Sequence, residues 1–227
     1  MVLDRAAPTS KSTAFAPIAK KTHRMSIDPK LIAQWREDNA FDTTLAGQSL
    51  HLVTTWGLFS PREIDSGTWL LLKQIEDGEI ELKPTDDCLD LGCGYGPIGL
   101  TLARLAPLGK TLLVDKDFVA VEYTRKNIAL NRIQNAEAIL SNGLAQIEQG
   151  RMFDVICSNV PAKVGKEMLY IMLDDARRHL KPGGRIVLVT ISGLREFFKR
   201  TLVEMFGNYD KVKQGKDYTV ALAIKNQ

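Results

Sequence analysis

The sequence predicts an α/β fold built on a doubly wound sheet, and three observations predict it. From residue 86 onward, apolar runs of strand length alternate with segments whose apolar residues recur at helical spacing. A glycine cluster (Gly92, Gly94, Gly96 and Gly99) joins the first of those strands to the first helix. Further on, Arg185–Ile191 is almost continuously apolar, as a strand covered on both faces has to be.

The elements follow in order. Residues 1–25 read as a disordered basic tail. Its five basic residues (Arg5, Lys11, Lys20, Lys21, Arg24) against Asp4 give +4, which leaves −1 for the remainder of a chain whose net charge is +3. Such a tail suits a nucleic-acid arm, a targeting segment or plain solvation. Residues 26–64 read as a small N-terminal extension. Within it, Asp28 to Ala40 is predicted as a short helix, with Pro29 in its first turn and Leu31, Ile32 and Trp35 apolar. Thr43 to Phe59 is predicted as two short strands turning near Gly47.

Residues 65–227 read as the main domain. Asp65 to Glu76 is its first helix, carrying Trp69, Leu72 and Ile75 on one face. Strands are predicted at Cys88–Leu91, Thr111–Asp115, Ala136–Leu140, Phe153–Ser158 and Arg185–Ile191. Helices are predicted at Pro97–Leu105, Phe118–Asn131, Lys166–Leu180 and roughly Leu194–Phe206. The turn Lys181-Pro182-Gly183-Gly184 is expected to stop the third of these helices. Tyr209–Val212 and Tyr218–Ile224 close the chain as an antiparallel pair. The whole is a Rossmann-like sheet of about seven strands with that pair at its C-terminal end.

Composition excludes several classes. No apolar run approaches the roughly 20 residues that span a bilayer, so no membrane partner is expected. The first 25 residues hold no secretory core, which makes a cytoplasmic enzyme the expectation. The three cysteines (Cys88, Cys93, Cys157) are odd in number and form no CxxC, and no histidine stands near them. A disulfide framework and a metal site are therefore not expected. The three histidines (His23, His51, His179) pair with no acid or nucleophile in a triad-like order.

The glycine segment Asp90-Leu91-Gly92-Cys93-Gly94-Tyr95-Gly96-Pro97-Ile98-Gly99 narrows the chemistry. Gly94-x-Gly96-x-x-Gly99 formally matches a dinucleotide fingerprint, and Asp115 follows at the distance of a ribose-binding acid. Asp90 decides between ligands. A carboxylate beside the loop repels a pyrophosphate. S-adenosylmethionine has no phosphate, and its methionine end carries an ammonium and a sulfonium that suit an anionic site.

Asp90–Gly99 resembles motif I of class I methyltransferases. The likeness extends over roughly residues 40–227. Thr54 to Leu72, with Gly57-Leu58-Phe59-Ser60 and then Asp65, Gly67, Thr68, Leu70 and Leu71, is similar to the segment before motif I in the methyltransferase small domain group. That group includes small-subunit ribosomal RNA guanine-N2 methyltransferases and archaeal relatives. The resemblance implies S-adenosylmethionine as cofactor. It implies that Asp90, Gly92, Cys93, Gly94, Tyr95 and Gly96 surround the methionine moiety. Asp115, with Lys116 beside it, is then at the ribose, Asn142 near the adenine, and Asn159 at the edge of the cofactor.

Ser158-Asn159-Val160-Pro161-Ala162-Lys163 stands where the resembled group carries Asn-Pro-Pro followed by an aromatic or aliphatic residue. The implied catalytic residues are Asn159, Val160 and Pro161. An exocyclic amine on a base is a poor nucleophile, because its lone pair is delocalised into the ring. The Asn159 side-chain oxygen and the Val160 carbonyl can accept its two N–H groups and turn the lone pair toward the methyl. Val160 replaces the first proline, while Pro161 still holds the preceding residue extended. Ala162 replaces an aromatic whose stacking is worth roughly 1–3 kcal/mol per base, and Phe59 or Tyr95 is the expected substitute. The expected function is N-methylation of an RNA base, with ribosomal RNA guanine N2 first and RNA or a ribosomal subunit as partner. The alternatives are methylation of a protein glutamine or small amine, a non-catalytic RNA-binding module of the same fold, and a nicotinamide-dependent oxidoreductase.

Overall fold

The computed structural model describes residues 27–161 and 163–226. The basic tail and Ala162 lie outside the described residues. The first element is helix α1 (Pro29–Trp35), capped by Asp28, whose side chain accepts from the Lys30 N–H at 2.9 Å. It ends at Trp35, not at Ala40 as predicted, because strand periodicity takes over. Strand β1 (Asn39–Leu45) alternates Asn39, Phe41, Thr43 and Leu45 inward with Ala40, Asp42 and Thr44 outward. It pairs antiparallel with β2 (Gln48–Thr54). The two residues between them, Ala46 and Gly47, sit at φ 46° and 72°, the left-handed pair that matches the twist of a tight hairpin.

After the hairpin the chain runs α2 (Ser66–Glu76), β3 (Cys88–Leu91), α3 (Pro97–Leu105), β4 (Thr111–Asp115), α4 (Phe118–Leu130), β5 (Ala136–Leu140), β6 (Phe153–Asn159), α5 (Lys166–His179), β7 (Leu180–Ile191), α6 (Arg195–Phe206), β8 (Asp210–Gln214) and β9 (Tyr218–Ile224). The seven-stranded sheet has the order β5-β4-β3-β6-β7-β9-β8, and β9 alone runs against the rest. Within the large sheet, the expected start of β7 at Arg185 moves to Leu180. The glycine pair after α5 is not a free turn, because β7 starts at Leu180 and passes through it. Gly183, at φ 76°, donates to the Lys225 carbonyl, and the Lys225 N–H returns to Gly184, both at 2.8 Å. A Cβ on Gly184 would stand 2.8 Å from the Lys181 carbonyl oxygen, so the segment is knitted into the sheet at close approach.

Two cores flank the sheet. Along β7, Val187 and Val189 enter the core shared with α2, α3, α4 and the hairpin, while Ile186 and Leu188 enter the core shared with α5 and α6. This period-two division explains why β7 reads as unbroken apolar sequence. The hairpin joins the first core through Leu45, Leu50 and Leu52. Two asparagines four residues apart, Asn127 in α4 and Asn131 at its C-cap, complete the joint. Asn127 accepts from the Val53 N–H at 2.8 Å and donates to its carbonyl at 3.0 Å, and Asn131 does the same with His51 at 3.0 and 2.7 Å. Side-chain amides thus continue the ladder of β2 onto a helix. Among the described residues, no helix is long and apolar enough to cross a membrane.

Candidate active site at the sheet switch point

The strand order reverses between β3 and β6, and in such sheets ligands bind beyond the carboxyl ends of the strands at that point. Asp90 lies near the end of β3 and Asn159 at the end of β6. The Ser158 hydroxyl ties the two ends together by donating to the Leu91 carbonyl at 2.7 Å.

The loop after β3 is folded by its own backbone and braced from outside. Gly92, Gly94 and Gly96 have φ of 79°, 57° and 96°, which side-chain-bearing residues rarely adopt. A Cβ on Gly92 or Gly94 would meet no other atom within 4 Å, so the backbone is open to a ligand there. Asp115 accepts from the Gly94 N–H at 2.9 Å through Oδ2 and from the Asp117 N–H at 2.9 Å through Oδ1. Each oxygen keeps a lone pair for a further donor. On the other side, the Thr124 hydroxyl donates to the Gly94 carbonyl at 2.8 Å and the Asn127 amide to the Tyr95 carbonyl at 2.9 Å.

Asp90 is only 1% exposed. Its Oδ2 accepts from the Gly99 N–H at 2.7 Å, while its Oδ1 is buried with no hydrogen-bond partner among the described residues. Burial pushes this carboxyl up to about 7, against the pull of the Gly99 hydrogen bond and with a smaller push from the charge on Asp115. A buried carboxylate oxygen without a donor beside an open glycine backbone suits a cationic, amino-acid-like group, and the methionine end of S-adenosylmethionine is one.

Several expected residues contribute backbone only. The Cys93 side chain is buried, with Sγ 3.6 Å from the Thr124 hydroxyl, and burial holds its thiol well above the usual range. Tyr95 corrects an expectation. It is 4% exposed, its ring meets Phe41 edge-on at 6.5 Å, and its hydroxyl donates to the Ser60 and Glu63 carbonyls at 3.2 and 3.3 Å. A ring held in the core cannot stack on a base, so of the two expected rings only Phe59, 67% exposed, is available for stacking. Lys116 and Asn142 are exposed at the ends of β4 and β5, and the Asn142 N–H donates to Gln146 at 2.7 Å.

Asn159 is held by residues that were not assigned a role from sequence. Its Nδ2 donates to Asp65 Oδ2 at 2.7 Å and to the Thr68 hydroxyl at 3.1 Å. A carboxylate only accepts, so the amide nitrogen faces Asp65 and the amide oxygen faces away. That oxygen makes no hydrogen bond among the described residues. Val160 follows with its side chain 3% exposed and its N–H donating to the Val189 carbonyl at 2.9 Å, which anchors the start of the Asn-x-Pro segment to β7. Pro161 is exposed. Asp65 carried one local signal, since Asp before Ser-Gly-Thr reads as a helix cap. Nothing local pointed to its contact with Asn159.

With this geometry in hand, the likeness to known proteins is specific. The family model described as the methyltransferase small domain matches residues 49–222. The uncharacterized protein YbxB of Bacillus subtilis (strain 168) is 32% identical over 171 residues, covering 74% of this chain and 83% of that one. The ribosomal RNA small subunit methyltransferase C of Pseudomonas syringae is 31% identical over 75% of this chain and 50% of that one. Among solved structures, a T. thermophilus 16S rRNA N2 methyltransferase in complex with AdoMet and guanosine superposes with a TM-score of 0.74 at 28% identity, over 83% of this chain and 51% of that one. This chain thus spans about half the length of the two ribosomal RNA enzymes. It belongs to the methyltransferase small domain family, and its fold and loop are those of an S-adenosylmethionine-dependent methyltransferase.

Proposed function

We propose that this chain methylates the exocyclic amine of a ribosomal RNA base, with guanine N2 as the acceptor. The observation that carries the reading is the locked Asn159 amide, whose oxygen has no partner among the described residues and stands at the end of β6, across the switch point from Asp90. S-adenosylmethionine, when bound, supplies an electrophilic methyl group. The residues then divide the work. Asp90 and the open backbone of Gly92, Cys93, Gly94, Tyr95 and Gly96 hold the methionine end. Asp115 takes the ribose hydroxyls, with Lys116 beside it, and Asn142 lies toward the adenine. The Asn159 oxygen and the Val160 carbonyl accept the two N–H groups of the acceptor amine and orient its lone pair. Pro161 keeps Val160 extended so that its carbonyl is presented.

No strong base is needed, because the amine can lose its proton after transfer. Phe59 supplies stacking, and the extension over residues 26–64 contributes to recognition of the RNA. The two ribosomal RNA enzymes among the relatives support RNA over a protein amide as the acceptor. Mass spectrometry of ribosomal RNA from cells with and without the gene tests the reading. One methylated guanosine should disappear with the gene. An unchanged profile alongside a lost methylated protein or metabolite would overturn it.

A further inference from the structure

We infer that Tyr218 is a positioning residue for methyl transfer, holding the Asp65 carboxylate that sets the Asn159 amide toward the acceptor. The inference rests on the proposed role of Asn159 and adds a residue from the far end of the chain.

Tyr218 opens β9 and stands in register with Ile191, the last residue of β7. Its hydroxyl donates to Asp65 Oδ1 at 3.0 Å. The other oxygen of the same carboxylate accepts from the N–H groups of Gly67 and Thr68, at 2.8 and 3.2 Å, and from Asn159 at 2.7 Å. Three elements (α2, β6 and β9) therefore converge on one carboxylate. Capping of α2 accounts for the bonds from Gly67 and Thr68, but it needs neither Tyr218 nor Asn159.

The tyrosine ring is seated by close packing. A Cβ on Gly67 would lie 2.9 Å from two of its ring carbons and 2.9 Å from Asp65 Oδ2, so the glycine leaves room for ring and carboxylate together. With both carboxylate oxygens engaged, the plane of Asp65 is fixed, and so is the direction from which the Asn159 amide must approach. Burial, and next the charge on Asp65, hold the Tyr218 hydroxyl above the usual phenol range, so it remains a donor wherever the enzyme is assayed. Without that hydroxyl the carboxylate keeps its cap but loses its second anchor. The Asn159 oxygen then samples a wider arc, which lowers the fraction of encounters with the lone pair aligned.

The test is Tyr218→Phe, which keeps the ring packing and removes only the hydroxyl. The probe is labelled methyl transfer to ribosomal subunits purified from cells lacking the gene. Turnover should fall about tenfold with KM for S-adenosylmethionine unchanged, as expected for lost alignment. In an Asn159→Ala background the same substitution should cost nothing further. An equal loss in both backgrounds would show that Tyr218 acts independently of Asn159 and would overturn the inference. A readout without activity separates this from failure of the functional reading. The 15N side-chain amide signal of Asn159, assigned by its absence in Asn159→Ala, should shift in Tyr218→Phe. It should stay in place in Tyr170→Phe, whose hydroxyl meets Glu204 on α6. An unmoved signal in Tyr218→Phe overturns the inference even if the subunits are methylated.

Discussion

The side-chain amide of Asn159 donates to Asp65 Oδ2 at 2.7 Å across 94 residues of sequence. That contact settles which way the amide points, because the carboxylate has no proton to give. Asn159→Ala should therefore lower turnover on the order of 100-fold, about 3 kcal/mol in the transition state, and leave the Kd for S-adenosylmethionine nearly unchanged. Asn159→Asp should be at least as damaging, since two carboxylates at that separation cannot both be ionised. Single-turnover kinetics beside calorimetric titration of the cofactor checks both. Wild-type turnover in Asn159→Ala would remove the loop from catalysis.

Asp90 should make both stability and cofactor binding depend on pH. Its carboxyl is raised from 3.8 to about 7 in the folded chain. Between those values the folded state keeps a proton that the unfolded state has lost, so stability falls as pH rises from about 4 to about 7 and levels off above that. At about 1.4 kcal/mol per unit the full effect is on the order of 4 kcal/mol. Asp90→Asn should remove that loss, and urea unfolding at pH 5 and pH 8 should then show a smaller difference than in the wild type. Binding of the cationic cofactor below pH 7 should release a proton. Calorimetry in buffers of different ionisation enthalpy should detect that release in the wild type and not in Asp90→Asn.

Asp115 braces the glycine loop by accepting from the Gly94 N–H, and the proposed function gives it the ribose as well. Asp115→Asn keeps the shape and removes the charge. Lost charge-assisted bonds of about 1.5–3 kcal/mol each should weaken S-adenosylmethionine at least tenfold. An excess of NAD should not compete in the wild type. Competition by NAD would reopen the nicotinamide alternative.

Phe59 and Tyr95 should separate cleanly. Phe59→Ala should raise KM for the RNA by about tenfold, in line with roughly 1–3 kcal/mol per stacked base, with cofactor affinity unchanged. Tyr95→Phe should leave KM for RNA alone and lower the melting temperature, because the hydroxyl binds the Ser60 and Glu63 carbonyls. The reverse pattern would mean that Tyr95 leaves the core to meet substrate.

The hairpin depends on Asn127, whose amide serves Val53 twice and the Tyr95 carbonyl once. Asn127→Ala orphans backbone groups beside a fully buried position, so it should cost about 3 kcal/mol of unfolding free energy. Protection from hydrogen exchange should drop first in β1 and β2. Uniform loss across the sheet would mean that the hairpin is not held separately by this residue.

Local rules were enough for much of this protein. Helical spacing and caps defined α2 through α6 to within a residue or two at each end, because apolar periodicity and residues such as Asp65 and Pro97 act over a single turn. The glycine loop and Asp115 were legible for the same reason, since a left-handed backbone and a strand-ending acid leave marks in sequence. Helix α1 was overextended because the alternation that begins at Asn39 competes with helical spacing over a few residues. The glycine pair after α5 read as a stop, because sequence carries no sign that Lys225 would bond to it.

The site's finer order belonged to the tertiary structure alone. Tyr95 and Phe59 are both plausible stacking rings by residue type, and only packing against Phe41 put one in the core and left the other exposed. Asp65, Asn159 and Tyr218 come from the N-cap of α2, from β6 and from β9, and they meet because the sheet order brings strand ends together that the chain keeps far apart. Sequence records the local propensities that make each element. The direction of a side-chain amide is set by its neighbours in space, and those are fixed only when the sheet closes.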